Sequence, residues 1–268
     1  MTFTLTGIEL EKLFRRPRSY ISIVAVIVIV LVIQGGVMLD GKAFLDFIAE
    51  NLQETFILQG NLLNGYLISF LSINSLWIHI PILIIIITGD LISGEANAGT
   101  LRIYLSRPVT RTSLVLAKFM AGMVYVAIVV LILAVMSIGL GVLFFGTGDI
   151  IVFFGTINVL PENILLGRFI MAFSYGMISM WMVAALSFVF SSISDNSLSP
   201  IIITMSIIIL FTVISNFELG VFGRIRPYLF TTYMNNWQAF FEYDLDWVLI
   251  IRSVIILIVH IMGLLFLS

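Results

Sequence analysis

Six stretches of this chain are apolar for long enough to cross a bilayer: about residues 19–39, 66–88, 113–145, 164–190, 199–215 and 247–267. Hydrocarbon offers no water to backbone N–H and C=O groups, so such a stretch must close its hydrogen bonds on itself, which a helix does. At a rise of about 1.5 Å per residue, about 20 residues cross the roughly 30 Å core. The predicted fold is therefore an all-α polytopic membrane protein with six transmembrane helices, formed by one transmembrane domain over 1–268. Composition agrees: 60% of residues are hydrophobic and 10% charged, where ordinary soluble domains carry about 25% charge. A net charge of −2 gives no electrostatic reason to bind nucleic acid. Cysteine is absent and there are 2 histidines, so disulfides, thiol nucleophiles, thiolate metal sites and multi-histidine sites within one chain are excluded.

Charge sets the orientation. Lys12, Arg15, Arg16, Arg18, Arg102, Arg107, Arg111 and Lys118 fall at one end of the spans, and that end is read as cytoplasmic. Both termini then lie inside. Residues 3–18 alternate Leu5, Ile8, Leu13 and Phe14 with charge and are expected to form an interfacial elbow helix, broken from the first span by Pro17. No small-residue cleavage site follows that first span, so it is not read as a signal peptide. Lys42 to Leu63 carries apolar residues at helical spacing with Asp46, Glu50 and Glu54 between them, and reads as an amphipathic helix on the outer surface. The Gly139-Leu140-Gly141 section is a place where the long third run can bend or end. Residues 146–163 read as an outer loop. Residues 216–246 are dense in aromatics and read as an irregular or helical outer-face segment.

Two features carry candidate function. In the second span, Ser69, Ser72, Asn74, Ser75 and His79 form a polar stripe, which either lines a path through the membrane or packs helix on helix. Both readings stay open. Residues 89–112 form a cytoplasmic segment between the second and third spans. Two helical turns can be read from Gly94 to Leu105, with Leu101 and Leu105 four apart on one face. Glu95 near the helix start suits the dipole, and Gly99, lacking Cβ, permits close approach by another surface. Arg15, Arg16, Arg18, Arg107, Arg111 and Lys118 are expected to anchor the inner surface on anionic lipid. No phosphate-binding loop, HExxH or GxSxG motif is present, so no catalytic, cofactor or metal site is predicted.

The run Glu95, Gly99-Thr100-Leu101, Leu105-Ser106-Arg107-Pro108-Val109-Thr110-Arg111 and Ala117-Lys118 resembles the permease subunits of type-2 ABC exporters. The resemblance is strongest over these residues. Six spans, an elbow helix and an irregular outer segment extend it along the chain. It implies that 89–112 is a coupling segment, with Gly94, Glu95, Gly99, Thr100, Leu101 and Leu105 meeting an ATPase subunit. It further implies two nucleotide-binding subunits that hold Mg-ATP, and a second permease, identical or related, in the cell membrane. The aromatics of 217–247 favour an amphiphilic cargo. An ion-coupled carrier and a nonenzymatic membrane scaffold are the rival classes; the first would need carboxylates at mid-membrane, which the spans lack.

Overall fold

The structure is a computed structural model that describes residues 2–41, 63–100, 110–154, 157–216 and 222–268. Six of its helices are long and apolar enough to cross a membrane. Helix α1 (Thr2–Arg15) comes first, and the chain turns at Arg16, whose backbone is extended. Helix α2 (Pro17–Leu39) starts with proline in its first turn, where a missing N–H leaves no bond unmade. The next spans are α3 (Gly65–Thr88) and, after the short α4 (Ser93–Asn97), α5 (Arg111–Phe145). Helices α6 (Glu162–Ile193), α7 (Leu198–Asn216) and α9 (Trp247–Leu267) complete the set. The amphipathic helix expected over 42–63 lies almost wholly outside the described residues.

Helices α3, α5 and α6 form the centre, with α1 and α2 packed on α5 and with α7 and α9 packed on α6. The closest approach is between α3 and α5. A Cβ on Gly141 would stand 2.7 Å from the Gly65 carbonyl oxygen and 2.8 Å from Ser69 Oγ, so these two backbones touch because neither residue has a side chain. The Gly139-Leu140-Gly141 section does not end the helix, which runs 35 residues without interruption. Ser69 Oγ bonds the carbonyls of Gly65 at 2.6 Å and Ser137 at 2.8 Å, and Gln34 of α2 donates to the same Ser137 carbonyl at 2.9 Å.

The outer end holds the largest departure from the sequence reading. The loop over 146–163 contains an antiparallel hairpin, β1 (Ile150–Phe153) with β2 (Ile157–Leu160). Ile150 and Val152 turn inward and Phe153 outward, the alternation of a half-buried strand. Asn64 caps α3 through its side-chain oxygen and donates to the Asp149 carbonyl at 2.7 Å, while the Asp149 carboxylate caps the start of α6. The described part of the outer segment winds from 222 to 246 through short helical turns and α8 (Phe230–Met234). Its aromatics do more than face headgroups. Trp237 and Phe241 are fully buried and pack with Phe70 of α3 and Phe169 of α6. Arg168 closes the cap by donating to the carbonyls of Phe240, Glu242 and Tyr243.

Candidate functional site: the charged junction at the basic end

Leu5, Glu9 and Leu13 recur every four residues on α1 and share its face. That face packs on α5, so Glu9 enters the bundle with the leucines and is 5% exposed. A carboxylate there needs a cation. Lys118, two turns into α5 and 1% exposed, supplies it: its Nζ lies 2.7 Å from Glu9 Oε2 and 2.7 Å from Glu95 Oε2. Glu95 on α4 is itself 4% exposed. Lys12 pairs with Glu9 and reaches Glu95 at 3.6 Å. Arg16 sits 3.2 Å from Asp90 and 3.9 Å from Glu95, and Arg18 lies 3.7 Å from Asp90. Three carboxylates and four cations from α1, α2, α4, α5 and the turn after α3 thus meet at one point. Arg16 and Arg18 stay partly in water, and their pairs are worth less than the buried ones.

Lys118 does not reach out to the lipid surface; its ammonium turns into the protein, where two buried carboxylates each lie 2.7 Å away. Arg15 and Arg111 are exposed, and Arg107 lies outside the described residues. Burial alone would raise the Glu9 carboxyl, but Lys118 and Lys12 outweigh it and hold the pKa below its ordinary value. A carboxylate depressed in the folded state stabilises that state fully above its unfolded pKa of about 4.3, and the contribution is lost as pH falls through the lower folded value. With no native cysteine to interfere, a nitroxide on Phe3→Cys should report constant α1 mobility from neutral pH to about 5 and loosening below about 4. Loosening only on the alkaline side would contradict this assignment.

The segment that leaves this junction is held stiffly. Ser191 of α6 accepts from the N–H groups of Ile92 and Ser93, both at 3.0 Å, and so caps α4 from a neighbouring span. Gly94 lies against Asp90, whose Cγ a Cβ would approach to 2.6 Å. At the other end the Gly99 N–H bonds the Ala96 carbonyl and the Thr100 N–H bonds the Glu95 carbonyl, with Gly99 at φ +70. That pair of bonds is a Schellman stop. The two-turn helix read over Gly94 to Leu105 is therefore corrected: the helix ends at Asn97. Among the described residues nothing lies within 4 Å of where a Gly99 Cβ would stand, so there the glycine answers a backbone requirement rather than a close approach. Thr100 is exposed. Leu101 and Leu105 lie outside the described residues.

The polar stripe of α3 divides. Ser69 and Ser72 are fully buried and spend their hydroxyls on backbone carbonyls, as helix-packing groups do. Asn74, Ser75 and His79 are exposed. Asn74 opens on a groove of about 520 Å³ between α3 and α7, with Thr212, Asn216, Asn235 and Gln238 at its outer end and Pro81, Ile82 and Met205 deeper in. His79 bonds its own helix through Nδ1 at 2.9 Å from the Ser75 carbonyl. Sequence reasoning missed Glu9 as part of the junction. The available signal was its place on the leucine stripe.

A family profile described as "ABC-2 family transporter protein" matches residues 4–265. The chain is also similar to a protein of Bacillus subtilis (strain 168) described as "Uncharacterized protein YhcI", with 29% identity over 118 residues. That alignment covers 42% of this chain and 37% of the relative's length.

Proposed function

The chain belongs to the ABC-2 family of transporter proteins, and from that premise we propose that it is the membrane-spanning permease of an ATP-driven transporter. Two nucleotide-binding subunits carry the Mg-ATP, a second permease completes the pathway, and residues 89–112 are the coupling segment. The observation that carries this reading is the stiff mounting of α4. It is capped from α6 by Ser191, held from α5 by Lys118 and stopped at Gly99, so a push on the exposed Thr100 reaches two spans at once. Glu95 serves from within, as the ionic root of the segment, while Gly99, Thr100, Leu101 and Leu105 are the proposed contacts with the ATPase. Gly94 gives the segment its seat against Asp90.

The exposed Asn74, Ser75 and His79 support a pathway or subunit face along α3. Polar side chains at membrane depth turn toward protein or water rather than lipid, and the described residues leave these three exposed. A groove polar at its outer end and apolar below suits an amphiphilic cargo.

The test is reconstitution of the permease with its cognate ATPase, following membrane insertion, assembly, ATP hydrolysis and transport in one preparation. Gly99→Leu forces a side chain into a left-handed backbone, which costs about 1–2 kcal/mol for one residue. Glu95→Ala removes the root of the segment. Both variants are expected to insert and to lose coupled transport by tenfold or more, about the effect of 1.4 kcal/mol on the coupling equilibrium. Wild-type coupling in both would overturn the assignment. Full transport by vesicles lacking any ATPase would instead favour an ion-driven carrier.

A further inference from the structure

A second recess lies away from the junction and from the α3–α7 groove. It measures about 590 Å³ and runs along α6 between α5 and α9. Phe173, Met177 and Trp181, spaced by four, form a stripe on α6; Met120 and Leu131 rise on α5, and Ile261 stands on α9. The polar groups in the walls are spent on backbone: Ser174 Oγ donates to the Ile170 carbonyl at 2.8 Å, and Trp181 Nε1 to the Met123 carbonyl at 3.0 Å. The recess therefore offers an occupant no free donor and no charge. We propose that it is a binding site for one acyl chain of a lipid in the basic-side leaflet.

Position names the occupant. Around the recess Leu131, Ile170, Ile258 and Met262 are exposed, so it opens sideways and is continuous with the lipid-facing surface. On α5 its lining runs from Phe119, next to Lys118 where the charged junction ends, to Ala134, about 22 Å at helical rise. Half of a roughly 30 Å hydrocarbon core is about 15 Å, so the wall covers the full depth of the basic-side leaflet and reaches past mid-membrane. Methionine and aromatic side chains adapt to a flexible chain without demanding one shape. A chain lying here contacts three helices at once, whereas the convex faces of α7 and α9 offer lipid one helix each. The inference rests on membrane insertion and not on the transport reading, so it stands for a chain that moves no cargo.

The test uses the full chain in vesicles of phosphatidylethanolamine and phosphatidylglycerol, a trace of the phosphatidylethanolamine carrying a mid-chain diazirine. Photolabel is expected to concentrate on Met120, Met177 and their neighbours, about tenfold per residue above the exposed Ile202 and Ile203 of α7, the ratio set by a 1.4 kcal/mol preference. Ala127→Trp, which fills the recess from the α5 wall, should reduce that labelling to the α7 level. Ser174→Phe fills it from the floor and gives an independent check should the first variant fail to fold. Equal labelling of recess and α7 would reduce the recess to ordinary boundary lipid and overturn the site. Absence of label there, with a Met120→Cys crosslink to a second copy, would assign the recess to a subunit contact and overturn it equally.

Discussion

Lys118→Met is expected to destabilise the folded chain by about 3 kcal/mol, the lower end of the range for removing one partner from a buried ion pair. Methionine fits the space but leaves Glu9 and Glu95 facing each other through it, both nearly sealed from water. Glu9 keeps Lys12 beside it, but Lys12 at 3.6 Å and Arg16 at 3.9 Å from Glu95 lie too far to replace the 2.7 Å contact there. Part of the loss is recovered by protonating one carboxylate, as coupled acids do when their shared cation goes. The result is read from thermal unfolding in one detergent, compared with Lys118→Met combined with Glu9→Gln and Glu95→Gln. Neutral groups remove the stranded charges, so the triple variant should recover most of the stability. It is not expected to recover ATP-driven transport, because an amide pair no longer roots α4 to α5. Wild-type unfolding of the single variant would remove the triad as a structural element. Full transport by the triple variant would separate the triad from coupling.

How much of this was legible follows from what each signal measures. Hydropathy and basic flanks report a property of single segments, and the six spans they define differ from the observed helices by only a few residues at their ends. Glu9 was legible as an anomaly: a charge spaced by four from Leu5 and Leu13 sits where a helix buries its apolar face. Its partner, 109 residues away, was not, since no local pattern carries a contact between α1 and α5. Ser72 and His79 make the same point. Seven residues apart, they share a helical face, yet one is buried and the other exposed, because neighbouring helices cover only part of α3. The hairpin left a signal that hydropathy overrode. Ile150-Ile151-Val152-Phe153 is a β-branched and aromatic run following Gly148-Asp149, and in a chain this apolar it passed for loop. Gly99 was recognised from its place in the motif, but its reason, a left-handed backbone at φ +70, belongs to the Schellman stop and not to the residue type alone.

Two glycines two positions apart on α5 should respond to alanine in opposite directions. Among the described residues nothing lies within 4 Å of a Cβ on Gly139. Alanine there removes a flexible residue from a helix interior, which stabilises by about 0.5–1 kcal/mol. Gly141→Ala places its methyl against the Gly65 carbonyl and Ser69 Oγ. The hydroxyl can rotate away; the carbonyl belongs to the first turn of α3 and cannot. The helices must separate, and separation loosens the Ser69 bond to Ser137 and the Asn64 bond to Asp149, which tie the outer ends of three spans. Overpacking of this kind costs about 1–3 kcal/mol, and each weakened hydrogen bond adds about 1 kcal/mol, so a loss of about 3 kcal/mol is expected. Gly65→Ala, meeting the same contact from the other side with backbone atoms on both helices, should lose at least as much. Thermal unfolding of all three variants in one detergent decides. If Gly139→Ala stabilises while leaving transport intact, this section of α5 is a rigid packing surface; if it stabilises and abolishes transport, the glycines serve as a hinge within the continuous helix. Equal destabilisation at both positions would mean that the backbones of α3 and α5 do not meet at Gly65 and Gly141.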